Sequence, residues 1–164
     1  MWTKVLGMAK YKSNHKEPLL LNEPLMVYGA KAIDVTQFFQ NTYTVNNTIE
    51  KGVSITLFDD IQRLVQFSEE KLADILSLST KSIQRYRKEK GFRFKPIHSE
   101  KLIELAEVAT FGLQVFDSKD QFHAWLDTPS FALANNKPAD LLHNSYGIKL
   151  VMEELNRIEH GIFI

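Results

Sequence analysis

Between Leu72 and Gly91 the chain reads LADILSLSTKSIQRYRKEKG. Six side chains there, Lys81, Ser82, Gln84, Arg85, Arg87 and Lys88, are of the types that bind nucleic acid. Arg and Gln offer paired hydrogen-bonding groups that match base edges in the major groove. Lys, Arg and Ser bond phosphate oxygens and so fix orientation. Gln84 and Arg85 are the candidates for base contact, and Lys81, Arg87, Lys88 and Lys90 for phosphate contact. From Lys81 to Lys95 there are seven basic residues and one acid, Glu89. The same residues also suit the solvated basic face of an ordinary helical hairpin, the alternative to DNA contact.

No comparable set of residues points to catalysis. The histidines, His15, His98, His123, His143 and His160, share no metal-ligand spacing, and no HExxH, P-loop or GxGxxG occurs. A Gly-x-Ser-x-Gly elbow is absent too. The chain has no cysteine, which excludes disulfides, thiolate metal sites and a catalytic thiol. The adjacent acids Asp59-Asp60, Glu69-Glu70 and Glu153-Glu154 point apart when helical, as solvated faces do. No enzyme and no cofactor or metal is expected.

The basic residues need a frame. Ser68 precedes EEKLADIL, with two acids in the first turn where the helix dipole favours them. Ser77-Leu78-Ser79 is the right length for the turn of a helix-turn-helix, Ala73 is the small residue the crossing needs, and Ser79 caps a second helix ending near Gly91. Leu72, Leu76, Leu78, Ile83 and Tyr86 face the shared core. Upstream, Ser54 caps a helix with Leu57, Ile61, Leu64 and Val65 at helical steps. Downstream, a helix from about Ser99 to Phe116 carries two apolar stripes, Leu102/Ala106/Ala109/Leu113/Phe116 and Leu105/Val108/Val115, and is expected to be buried on two sides. Ser118 with Gln121 forms a capping box for a helix ending near Leu126. Pro129 and Pro138 bracket a loop, and a last helix starts near Ser145 and closes at Gly161. Before Gly52 the expectation is an irregular arm, an extended piece near Leu25 to Tyr28, a helix over Ala30 to Phe39, and a loop at NTYTVNNT.

The formal net charge of zero hides a bipolar chain. Residues 1–95 carry 15 Lys and Arg against 10 Asp and Glu, and residues 96–164 carry 5 against 10. An acidic half suits a basic partner surface. The end, Gly161-Ile162-Phe163-Ile164, places apolar side chains just beyond a helix, where a partner pocket or the chain's own core would bury them. The N-terminus has no signal-peptide pattern, and PLLLNEPLMVYG is broken by Glu23 and Pro24 and too short to span a bilayer; a cytoplasmic protein without membrane contact is expected.

The second half carries Val115-Phe116, Trp125-Leu126, Pro129, Leu133, Pro138, Leu141-Leu142, Gly147, Val151, Leu155, Arg157-Ile158-Glu159 and Gly161, in order. That series resembles the toxin-binding domain of the Xre/MbcA/ParS antitoxins, most closely the Xre type of RES–Xre toxin–antitoxin pairs. The resemblance covers about Leu57 to Ile164. Ser77 stands where the family's turn usually has Gly, Ala134 and Asn135 replace two glycines, and the usual Thr near Asn144 is missing.

The resemblance implies an all-α fold, a helix-turn-helix domain over 52–96 followed by a small helical toxin-binding domain over 97–164; the N-terminal arm and helix over 1–51 lie outside it. It implies an antitoxin that neutralises a RES-type, NAD-consuming toxin and represses its own operon. Toxin contact is expected at Leu133, Gly147, Arg157, Glu159, Gly161, Ile162, Phe163 and Ile164. The partners are then the cognate toxin, operator DNA and a second copy, since helix-turn-helix readers commonly dimerise to span two half-sites. The rival readings are a stand-alone regulator whose second half only dimerises, and a toxin-binding module without DNA affinity.

Overall fold

A computed structural model describes residues 26–28, 31–33 and 35–162. Its body is all helical. A short antiparallel hairpin precedes it, β1 (Met26–Tyr28) paired with β2 (Lys31–Ile33) through Met26↔Ile33, Val27↔Ala32 and Tyr28↔Lys31. The helices are α1 (Val35–Gln40), α2 (Thr42–Lys51), α3 (Ile55–Val65), α4 (Glu69–Ile75), α5 (Thr80–Lys88), α6 (Pro96–Val115), α7 (Lys119–Leu126), α8 (Pro138–Leu141) and α9 (Ser145–Glu159).

Two expectations about the arm are corrected. The helix predicted from Ala30 begins only at Val35, because residues 31–33 pair as a strand too short to leave a period in the sequence. NTYTVNNT is a helix, not a loop. Asn41 caps it by accepting from the Thr44 N–H at 3.0 Å, and the Thr48 hydroxyl donates to the Thr44 carbonyl at 2.8 Å. Thr48 is buried, Val45 and Ile49 pack on the core, and α2 lies against α6. Tertiary packing overrides the weak helix propensity of Asn and Thr.

The serine caps appear where expected. Ser54, Ser68, Ser79 and Ser118 accept from the backbone N–H groups of Leu57, Lys71, Ser82 and Gln121. α6 starts three residues earlier than expected, with Pro96 in its first turn, where a missing N–H costs nothing. It is the spine of the molecule. Leu102, Ile103, Leu105, Ala106, Val108, Ala109 and Gly112 are buried, with α2 and α3 on one side and α9 on the other. The connector after α5 returns under this frame. Phe94 is buried and its N–H donates to the Val53 carbonyl, while Ser99 accepts from Val53 N–H and donates to the Phe94 carbonyl. Gly52, at φ +85°, sits so near that connector that a Cβ would lie 2.4 Å from the Phe94 carbonyl oxygen.

Candidate nucleic-acid and partner interfaces

Ala73 is buried at the crossing of α4 and α5, and its carbonyl accepts from Leu78 N–H at 2.8 Å. Ser77, in the turn, has φ +54°, a conformation that favours the glycine it replaces. Ile83 is fully buried, and Tyr86 stacks on Phe92 at 3.9 Å between centroids. Those inward residues leave Lys81, Gln84, Arg85 and Lys88 exposed. Their spacing of three, one and three puts them on one face of α5. Lys90 is exposed just past the helix, and Ser82 is half-buried with its hydroxyl 2.9 Å from that of Ser79.

Arg87 departs from its expected direction. Its Nε and Nη2 donate to Asp59 Oδ1 of α3 at 3.2 and 2.9 Å, Nη2 also reaches Gln62 at 3.4 Å, and Nη1 donates to Glu69 of α4. The guanidinium lies 5.7 Å from the centroid of the buried Phe58 ring. Its pKa is raised, first by the Glu69 hydrogen bond. The opposing desolvation is the second contribution.

In the second half, η1, a 3-10 turn over Phe131–Leu133, is followed by Ala134 at φ +54° and Asn135 at φ +60°. The turn is closed by Ser130 N–H to Asn136 O at 3.1 Å, Asn135 N–H to Ser130 O at 2.9 Å, and the Asn136 side chain to Leu133 O at 2.9 Å. Left-handed backbone strains an alanine by about 1–2 kcal/mol. Part of that is returned when glycine widens the unfolded ensemble. Ala134→Gly is therefore expected to stabilise the chain by ~0.5–1 kcal/mol, read as a higher urea midpoint at unchanged slope; a lower midpoint would contradict the strain. Asn144, in place of the missing Thr, caps α9 by accepting from Gly147 N–H at 3.0 Å.

The residues expected at a toxin interface separate into two groups. Leu133 is buried, and Gly147 backs onto the Leu141 carbonyl, so both hold the fold and neither offers a side chain to a partner. Arg157 is half-buried and paired with Glu154 at 2.8 Å. Glu159, Gly161 and Ile162 are exposed, with Ile162 at 57%. Phe163 and Ile164 lie outside the described residues. Beyond Pro129, sequence reasoning missed three large exposed apolar residues: Phe131 at 77%, Tyr146 at 84% and Leu150 at 47%. Tyr146 and Leu150 lie about 160–200° round α9 from Ile148, at about 100° per residue, hence opposite the buried stripe. An apolar pair at that angle was the available signal. Phe131 projects from η1, which packs on α9. On the flank of α6, burial raises the pKa values of Glu104 and Glu107; a Ser145 hydrogen bond opposes this at Glu104. His123 is lowered, first by burial.

A polar seam joins the two regions. Lys71 of α4 bonds Asp140 of α8 at 3.0 Å, and His143 faces Asp74 at 3.7 Å. The Lys101 amine donates to Ile75 O at 3.1 Å and His143 O at 3.0 Å. The Lys71 hydrogen bond is the first cause that holds the Asp140 carboxyl below its usual range.

Residues 45–107 match the antitoxin Xre-like helix-turn-helix domain, and residues 112–161 match the antitoxin Xre/MbcA/ParS C-terminal toxin-binding domain. The chain is 26% identical over 118 residues to Antitoxin Xre of Yersinia enterocolitica, a span of 71% of this chain and 79% of that protein. It is 28% identical over 116 residues to mycobacterial cidal antitoxin MbcA of Mycobacterium tuberculosis, 69% of this chain and 99% of that one. Its fold is similar to a chain in the crystal structure of the M. tuberculosis MbcT–MbcA toxin–antitoxin complex, with TM-score 0.51 and 26% identity over 65% of this chain and 93% of that chain. No helix among the described residues is long and apolar enough to cross a membrane.

Proposed function

Both halves of the chain belong to the Xre/MbcA/ParS antitoxin family, and on that footing we propose that the protein neutralises a toxin protein by binding it. The observation that carries this reading is the exposed set Phe131, Tyr146 and Leu150, which lies within the segment matched to a toxin-binding domain. Monomeric surfaces seldom gather large apolar side chains on adjoining elements without a partner to cover them. Tyr is among the residues enriched at the centres of protein interfaces. The expected contacts Glu159, Gly161 and Ile162 are exposed at the end of α9, with Arg157 half-buried beside them, and Phe163 and Ile164 lie outside the described residues. Leu133 and Gly147 serve it by fixing η1 and α9.

The toxin is of the RES type, an NAD consumer, as the resemblance to Xre antitoxins implies. The second activity is repression of the protein's own operon. Lys81, Gln84, Arg85 and Lys88 meet DNA, with Ser82 beside them, and two copies span two half-sites. The chain itself performs no catalytic step in this reading. Its place is in the cytoplasm.

The test is co-expression with the product of the adjacent reading frame. Growth arrest by that product is expected to be relieved by the full chain, and the two proteins are expected to co-purify. A chain ending at His160 is expected to rescue less. Arrest that persists beside soluble full-length chain, with no complex formed, would rule the antitoxin reading out.

A further inference from the structure

Among the described residues, Arg87 is the one basic side chain of the α5 region with carboxylate partners on other helices. Its guanidinium lies 5.7 Å from the centroid of the buried Phe58 ring and joins Asp59 and Gln62 of α3 to Glu69 of α4. A planar fork held by two carboxylates fixes direction as well as distance. Three helices therefore meet at one side chain in the last turn of α5. That junction ties the exposed face of α5, with Lys81, Gln84, Arg85 and Lys88, to α3 and α4, in addition to the buried Ile83 and the Tyr86–Phe92 stack.

We propose that Arg87 is a positioning residue for DNA recognition, setting the angle at which α5 presents its outer face, and is not a phosphate contact. This rests on the reading that α5 meets DNA. For the guanidinium to reach a phosphate it would have to leave both carboxylates, whereas Lys88 is already free to point outward with no ion pair to another described residue.

The two roles separate by their response to salt and sequence. A lost phosphate contact weakens all duplexes alike and lowers the log–log salt slope by about one. A misdirected helix keeps its phosphate charge count and loses discrimination. The experiment is fluorescence anisotropy of the full chain on two duplexes, the DNA upstream of its own gene and a scrambled sequence of equal length, over a KCl series. Lys88→Met is expected to weaken both duplexes equally and to reduce the slope by about one. Arg87→Met is expected to leave the slope unchanged and cut the preference for the natural duplex roughly tenfold, the discrimination of one base contact. The double variant Asp59→Asn/Glu69→Gln is expected to lose the same preference although it removes two negative charges. It keeps the Arg87 side chain itself, so it decides the matter should Arg87→Met fail to fold.

Tighter binding by the double variant with preference retained, or a unit loss of slope in Arg87→Met, would overturn the positioning role. Unchanged preference in both variants, beside a wild type that discriminates, overturns it as well. A wild type that binds neither duplex defeats the DNA reading beneath it, and the positioning role with it.

Discussion

The double variant Phe131→Ala/Tyr146→Ala is expected to lose rescue of toxin-arrested cells while melting as the wild type does. Both side chains are more than three-quarters exposed, so truncating them removes little that the folded chain buries. Exposed substitutions of this kind shift stability by no more than about 0.5 kcal/mol. At the centre of a protein interface, in contrast, an aromatic anchor is worth about 2 kcal/mol or more, roughly 30-fold in affinity. Two anchors acting additively give a loss on the order of 1000-fold. Calorimetric titration of purified variant with toxin gives the affinity, and a thermal melt gives the control. Unchanged affinity in a well-folded variant would move the interface away from η1 and the start of α9. In the turn after η1 the left-handed backbone strains Ala134 but suits Asn135, and such an alanine persists only where the surroundings enforce it.

Gly147→Ala is expected to have the largest effect on folding. A Cβ there would stand 1.8 Å from the Leu141 carbonyl oxygen, a backbone atom that no rotamer change can remove. α9 would have to shift from α8, pulling Ile148, Val151 and Leu155 out of register with α6. Overpacking of this severity costs about 3 kcal/mol or more, against a total stability of about 5–15 kcal/mol for a small domain. The variant should melt many degrees lower or collect in the insoluble fraction. Gly161→Ala supplies the contrast. That glycine has φ +66° and nothing within 4 Å of a Cβ, so only the backbone penalty of about 1 kcal/mol applies. Similar losses from the two substitutions would refute the steric account.

The sequence made the helix starts legible because a serine cap acts within three residues, as Ser54, Ser68, Ser79 and Ser118 do. The double burial of α6 was legible for the same reason: its stripes are local. α2 was hidden because Asn and Thr favour loops on their own, and its stability comes from α6, more than 40 residues away. Arg87 shows the same limit at a site. Its charge is plain in the sequence, but its direction depends on Asp59, 28 residues earlier. Leu133 and Gly147 are visible as motif positions, and a motif does not say whether a residue touches a partner or supports one that does. Tyr146 and Leu150 were open to view as an apolar pair facing away from the buried stripe.

α6 runs through the boundary between the two matched segments, 45–107 and 112–161, with both of its sides buried. A break between them would strip one half of its spine and leave the other with a bare apolar groove. The two halves are therefore not interchangeable cassettes. A hybrid that joins the first half of one relative to the second half of another is expected to fold only when it carries a matching α6.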